Sequence, residues 1–444
     1  MINHISELYG RQIKLSDLSE ELQHHPAIHV RPALAKIAGR WICTRCQAKL
    51  KPTLAGLPNG QFYCYECIQM GRMDTLQGLA TVDEPNRFAA VKHPMSWRGR
   101  LTALQAACAQ QIVEVFKDHR RHLLWAVTGA GKTEMLFPAI EWAIRHGLRI
   151  GIASPRVDVC IELFPRIQAA FDGVSSVLLH GKSEAPYQYQ YCQITVCTTH
   201  QLLRFYHAFD VMVIDEVDVF PFSGNPMLHT AVSNAIKPSG GLLYLTATPD
   251  RSLLRAVKSG DLSVGYLPIR YHGHLLPEVT IIRLPKIAAQ IKESRLPGQV
   301  MTMIGRLVAA KQRFLLFVPT IQDLQRVGAA ISREKIRCRY ETVFSADPKR
   351  LEKVAAMRLR SLDFLITTTI LERGVTFPGI DVLVLKADDR IFSSAALVQI
   401  AGRVGRNSER PGGQVLLYCS TRSSSVKACD RQIKQMNQKA RQLS

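Results

Sequence analysis

Residues 126–133 read AVTGAGKT, and this stretch decides the fold. It follows an apolar run, residues 122–127, with the composition of a buried strand, and a largely apolar segment continues to His146. Strand, glycine loop and helix in that order are the context a phosphate-binding loop requires. Gly129 and Gly131 let the backbone turn tightly enough to aim consecutive N–H groups at phosphate oxygens, and the N-terminus of the following helix favours an anion. Thr128, Gly129, Ala130, Gly131, Lys132 and Thr133 are therefore the expected nucleotide cradle, with Lys132 on the β- and γ-phosphates and Thr133 on Mg²⁺. Ala126 stands where the general pattern has glycine. Pro138, about two turns into the helix, is expected to kink or shorten it.

Downstream, β-rich apolar runs alternate with helical patterns at residues 149–153, 176–179, 193–197, 211–214 and 242–245. That alternation predicts a doubly wound parallel sheet, whose functional residues lie just beyond the carboxyl ends of strands. Asp215-Glu216-Val217-Asp218 follows one run directly, placing Asp215 to hold Mg²⁺ through water and Glu216 to orient or deprotonate the attacking water. Thr246-Ala247-Thr248 closes the last run. Residues 265–312 are less regular, contain Pro268, Pro277, Pro285 and Pro297, and read as a join between two lobes. The alternation resumes at 314–318, 339–344, 364–368, 382–385 and 414–418. This second sheet has no phosphate loop of its own, but it carries QIAGRVGR at 399–406. Arg403 and Arg406 are expected three apart on a helix, either pointing into a cleft as fingers on the γ-phosphate or lying on a plain surface helix.

Upstream, Cys43-x2-Cys46 and Cys64-x2-Cys67 are separated by 17 residues. Each knuckle offers two thiolates to one tetrahedral ion, and the gap suits a short hairpin, so the pattern predicts structural zinc, with an iron site or redox pairs as alternatives. Trp41, Phe62, Tyr63 and Tyr65 beside the cysteines read as the core of so small a module rather than as a base-stacking platform. Residues 71–94 are polar, contain Pro85 and Pro94, and read as a linker. An amphipathic helix is expected at 100–116.

The chain of 444 residues has 57 Lys and Arg against 36 Asp and Glu, a formal charge of +21 that points to a polyanionic partner. Nine basic residues against two acidic ones lie between Arg403 and the C-terminus, as a backbone-contacting surface or a solvated helix. No uninterrupted apolar run reaches about 18 residues, and the first 22 residues lack a secretory apolar core, so the expected location is the cytoplasm. Eleven cysteines in such a chain argue against a disulfide framework.

Together these pieces resemble the superfamily 2 helicases and translocases, in which two RecA-like lobes clamp ATP and carry nucleic acid across their top. In such motors the loop often reads AxxGxGKT, as here. The resemblance covers residues 97–419 and implies roles residue by residue. Gln105 in LTALQ is similar to the adenine-reading glutamine. Pro155 and Arg156, and Thr198, Thr199 and His200 with Gln201, match motifs on the nucleic-acid backbone. Thr246 and Thr248 match the motif coupling ATP to strand movement. Residues 317–320, with Thr320, and 367–376, with Thr368 and Arg373, are similar to second-lobe strand-contacting motifs. Gln399, Arg403 and Arg406 match the last motif, the arginines as γ-phosphate sensors; Ala401 there is as in the PriA-like branch. A four-cysteine module ahead of the motor, DEVDVFPF at 215–222 and ILERGVTFP at 370–378 resemble the ComFA family of late competence proteins. PriA-like helicases carry their cysteines within the second lobe.

The resemblance implies an α/β fold of two RecA-like parallel-sheet lobes (residues 96–270 and 271–444) behind an N-terminal region with the zinc module (1–95). It implies ATP, Mg²⁺ and Zn²⁺ as cofactors. It also implies a motor stimulated by single-stranded DNA, at the inner face of the cell membrane, that helps import transforming DNA beside a membrane uptake channel and competence or recombination proteins, with a homo-oligomer left open. A replication-restart or repair helicase, or a zinc-dependent DNA-binding scaffold with a nucleotide switch, are the rival readings.

Overall fold

Apolar runs of four or five residues with no polar alternation belong to strands covered on both faces, and the parallel sheets are built of them. In the computed structural model, which describes residues 1–443 apart from 185–187, 335, 373, 374, 376 and 408, Ile150–Ser154, Ile194–Thr198 and Phe314–Phe317 are buried along their whole length. The chain divides into two compact units, Met1–Trp125 with Lys132–Tyr266, and Ala126–Gly131 with Leu267–Ser444.

The first unit holds a seven-stranded sheet in the order Ser263–Leu267, Arg121–Ala126, Ile236–Thr246, Phe209–Asp215, Ile150–Ser154, Ile194–Thr198, Ser176–Leu179. From Arg121–Ala126 onward the neighbours pair in parallel. Strand Ile236–Thr246 begins six residues before the expected run. Its register against Phe209–Asp215 slips between Phe209↔Ile236 and Val211↔Gly241, and Pro238 sits in that irregularity, where its missing N–H breaks no ladder bond. Helix Lys132–Arg145 runs on through Pro138, so the expected shortening does not occur. Helix Ala103–Lys117 packs on it and on strand Ile236–Thr246, and starts with a capping box in which Thr102 Oγ1 accepts from Gln105 N.

The second unit contains a six-stranded, wholly parallel sheet in the order Val279–Arg283, Val415–Cys419, Asp381–Val384, Phe314–Phe317, Phe364–Thr367, Tyr340–Val343. Phe314, Leu316, Phe364, Ile366, Leu383 and Tyr418 meet Ile304 and Leu307 of one helix and Leu324 and Val327 of another. Each such side chain, buried completely, stabilises the fold by about 1.5–3 kcal/mol. The stretch read as an irregular join is not one: it supplies edge strand Val279–Arg283 and helices Ile287–Lys292 and Gly298–Ala309. Its prolines lie between elements or at their starts, Pro297 being the residue before helix Gly298–Ala309, so they punctuate rather than forbid structure.

Ahead of both sheets, Arg11–Lys14, Gly78–Val82 and His29–Pro32 form an antiparallel sheet with Gly78–Val82 in the centre. Residues 71–94 are thus not a plain linker. Leu79, Ala80 and Val82 are buried because two partners flank them, a long-range pairing that no local pattern displays. This region is fastened to the first parallel sheet. Gln12 Nε2 donates to Leu203 O at 3.0 Å, and the buried Arg149, one residue before strand Ile150–Ser154, donates to Tyr9 O at 2.9 Å and pairs with Glu84. Arg11 lies over the Phe205 ring, 4.5 Å from its centroid. Burial, with Arg149 nearby, lowers the Arg11 pKa to about 9.

Candidate nucleotide site and cysteine cluster

Parallel strands of one sheet end together, so residues that follow different strands gather at one edge. In the first unit, Lys132 begins the helix after the loop, and Asp215 ends strand Phe209–Asp215. Lys132 Nζ lies 3.6 Å from Asp215 Oδ1. A cation and a carboxylate at that spacing after the glycine loop could take a phosphate and its Mg²⁺ between them. Gly129 and Gly131 adopt φ of 78° and 74°, a backbone that side chains with a Cβ rarely take. Glu216 also has positive φ, 54°. A bulky residue held there is a costly conformation of the kind stored at functional sites. Its N–H donates to Asp215 Oδ1 at 2.8 Å.

Asp218 is the site residue that sequence reasoning passed over. Its two carboxylate oxygens accept from Thr246 Oγ1 and Thr248 Oγ1, each at 2.6 Å, and Thr248 N donates to Thr246 Oγ1 at 2.9 Å. The acidic run is thereby tied to the threonines that close the neighbouring strand. Its signal in the sequence was the fourth position of Asp-Glu-Val-Asp.

The other expected residues of this unit are placed as follows. Gln105 is buried, and its Oε1 accepts from Thr102 N at 2.9 Å. Thr133 is half-buried in the first turn of helix Lys132–Arg145. Pro155 and Arg156 directly follow strand Ile150–Ser154, and Arg156 makes a two-pronged bond to Asp158 (3.1 and 2.9 Å). Thr198 ends its strand, and Thr199 and His200 open the turn Thr199–Arg204. Burial lowers the His200 pKa.

In the second unit, Thr128 is buried and Gly129 O accepts from Tyr271 N at 3.0 Å; Ala130 is buried beside them. Gln399 lies in the last turns of helix Ser394–Ala401, which stops before the arginines. Arg403 and Arg406 therefore sit in a turn, not on a helix. Gly405 in that turn has φ of 70°, and a Cβ there would come within 2.1 Å of Pro411 O. Arg403 Nε donates to Glu372 O (3.1 Å) and Arg406 Nε to Gly402 O (3.0 Å). Arg270, which nothing in the sequence singled out, is buried, and its Nη1 donates to Gly405 O at 2.6 Å. Burial, then Arg406, lowers its pKa to about 10. Thr320 caps helix Ile321–Arg333, and Thr368 precedes the turn Thr369–Leu371. Arg373 lies outside the described residues.

The four knuckle cysteines converge. Their Sγ atoms all lie within 4.8 Å of one another, with Cys43 to Cys67 at 3.8 Å and Cys46 to Cys64 at 3.6 Å, and all four are buried. A tetrahedral ion with Zn–S of about 2.3 Å sets its sulfurs about 3.8 Å apart; a disulfide would need about 2 Å. Trp41 and Phe62 pack at 5.2 Å beside them, as core rather than platform. Arg45, between the first two cysteines, donates to Cys67 O (2.9 Å), Gly71 O (2.8 Å) and Met70 O (3.0 Å), stapling one knuckle to the other.

Three family models match successive parts of the chain: the competence protein ComFA N-terminal domain over residues 3–81, the DEAD/DEAH box helicase over 102–256 and the helicase conserved C-terminal domain over 299–408. The chain is similar to competence protein ComFA of Streptococcus pneumoniae, 37% identical over 97% of this chain and 98% of that one. It is also similar to competence protein ComFA of Bacillus subtilis, 40% identical over 86% of this chain and 81% of that one. Among solved structures, S. cerevisiae Dbp5 bound to RNA and ADP BeF3 shares the fold, with a TM-score of 0.56 and 15% identity over 76% of this chain and 88% of that one. The chain belongs to the ComFA family of competence proteins and, through its helicase domains, to the ATP-driven motors of helicase superfamily 2.

Proposed function

We propose that the chain couples ATP hydrolysis to movement along single-stranded DNA and works at the inner face of the cell membrane, beside the uptake channel and the competence or recombination proteins that receive the strand. Its family makes it an ATP-driven helicase-like motor of competence DNA uptake and a DNA-dependent ATPase. The observation that carries the catalytic part is the Lys132–Asp215 pair at 3.6 Å. In this reading the loop backbone and Lys132 hold the phosphates, Thr133 and Asp215 hold Mg²⁺, and Glu216 orients the attacking water. Gln105 reads adenine, and Gln399, Arg403 and Arg406 sense the γ-phosphate. Pro155, Arg156, Thr198, Thr199, His200, Thr320, Thr368 and Arg373 meet the DNA backbone, consistent with a formal charge of +21. Among the described residues no helix is long and apolar enough to cross a membrane. The proposed domains are residues 1–95, 96–270 and 271–444.

The test is the ATP hydrolysis rate of the purified chain alone and with single-stranded DNA, duplex DNA or RNA, with Lys132→Ala as control. Stimulation by single-stranded DNA that vanishes in the variant is the expected result. A rate that no nucleic acid raises sinks the translocase reading and leaves a nucleotide-switched scaffold.

Zinc fits the four thiolates, where it would cross-link the two knuckles and do no chemistry on a substrate. One zinc per chain, lost in Cys43→Ala, is expected from elemental analysis of the purified protein. Iron, or no metal at all, would remove the assignment.

A further inference from the structure

The edge strand Val279–Arg283 borders the second sheet with no neighbour on its outer side among the described residues. Leu284 N donates to Cys419 O at 2.8 Å on the inner side. In a parallel ladder alternate residues turn both backbone groups to the same side, so Thr280 and Ile282 face inward with Leu284. Val279, Ile281 and Arg283 turn their N–H and C=O groups outward, where no partner meets them among the described residues. Natural edges are usually covered or blunted. This one is flanked by a cavity on each face.

The two cavities differ. Ile281 lines one of about 480 Å³ with Arg422, Lys427, Arg431 and Lys434. The single carboxylate there, Asp430, is bonded to Lys434 at 2.9 Å, which leaves three cations with no ion pair among the described residues. Ile282, which points to the other face, lines one of about 330 Å³ with Met303, Tyr418, Gln299, Thr302 and Arg306, its exposed surface mainly apolar. Basic side chains that the sequence scatters over the last residues thus gather on one face of one strand, while the cavity on the opposite face is mainly apolar with a single cation, Arg306.

We propose that this edge is a docking site for an extended protein segment whose side chains alternate acidic and apolar, added as a seventh strand. A strand sends successive side chains to opposite faces, so acidic residues meet the basic cavity while apolar ones enter the other. The outward N–H and C=O groups supply the ladder that gives such additions their affinity. A DNA backbone fits less well, because phosphates only accept hydrogen bonds and three carbonyls would stay unpaired. A second copy of this edge is repelled, since Arg283 and the basic cavity would face their own kind.

The probe is a labelled synthetic peptide of roughly nine residues alternating Glu and Val, titrated by fluorescence anisotropy into the full chain. Saturable binding is expected, weakened about tenfold or more by Arg431→Glu. A similar loss is expected when alternate peptide amides are N-methylated to delete the ladder. Unchanged DNA-stimulated ATP turnover in Arg431→Glu shows that the variant is folded. The proposal is overturned if a composition-matched scrambled peptide binds equally, if N-methylation has no effect, or if no saturable binding occurs up to millimolar peptide. It is equally overturned if Arg431→Glu weakens single-stranded DNA binding and leaves the peptide untouched, which would make the groove a nucleic-acid surface.

Discussion

The two parallel sheets share an architecture but commit their carboxyl edges differently. In the first, the ionisable groups after the strands bond to one another in ways a ligand can displace: Lys132 to Asp215 at 3.6 Å, with Glu216 at positive φ beside them. In the second, the corresponding groups are spent on holding the fold. Asp323 is buried, accepts from Thr320 Oγ1 at 2.8 Å and pairs with Lys386 Nζ at 3.0 Å, while Thr320 Oγ1 accepts from Asp323 N to cap a helix. A sheet edge is a place where chemistry can be put. Whether it is put there depends on whether the charges have partners they can leave.

This contrast can be broken. Lys132→Ala is expected to lower DNA-stimulated ATP turnover at least about a thousandfold, roughly 4 kcal/mol of transition-state stabilisation, with little change in unfolding midpoint; a large stability loss and modest rate loss would make the first edge structural too. Next comes the amino edge of the same sheet. His122 is buried against Ser263 Oγ at 2.9 Å, and burial, then Arg120, lowers its pKa to about 4 from 6.5. The folded chain resists the proton that the unfolded chain accepts, so stability is full above pH 6.5 and declines as pH falls to about 4, by about 3 kcal/mol in total. Denaturant unfolding of wild type and His122→Asn across that window measures it, and identical slopes would assign the loss to other groups.

On the second edge, Lys386→Met leaves the Asp323 carboxylate buried without its cation and should cost about 2 kcal/mol of stability at unchanged basal turnover, read by urea unfolding. Thr320→Ala is the smallest and the sharpest. As a helix cap its loss costs about 1 kcal/mol. If Thr320 also meets the DNA backbone, the DNA concentration for half-maximal ATP turnover rises as well; an unchanged value confines Thr320 to capping.

The cysteine module adds a third case, in which the cohesion of a small region depends on its neighbours. The cysteines share one buried apolar cluster with Leu202, Leu203 and Phe205 of the first unit, and Asn234 Nδ2 donates to Arg45 O at 3.2 Å. The shared core predicts that stripping the metal lowers the unfolding midpoint of the first unit along with the module.

Much was legible along the chain. The phosphate loop, the acidic run after residue 214, the cysteine knuckles and most parallel strands announce themselves because each depends on neighbours a few residues away: glycine freedom, apolar runs, ligand pairs. Less was legible of strand Gly78–Val82 and edge strand Val279–Arg283, whose existence rests on partners far off in sequence. The termination of helix Ser394–Ala401 before Arg403, the bonds from Asp218 to Thr246 and Thr248, the stapling by Arg45 and the burial of Arg270 belong to the same group. By itself, then, the sequence determined the residue types that nucleotide and metal chemistry need and the local turns that present them. Only the tertiary structure decided which carboxylates face a cation, which arginines are locked to backbone carbonyls and which strand edge stays open, because such pairings are set by burial and by the meeting of chain segments tens to hundreds of residues apart.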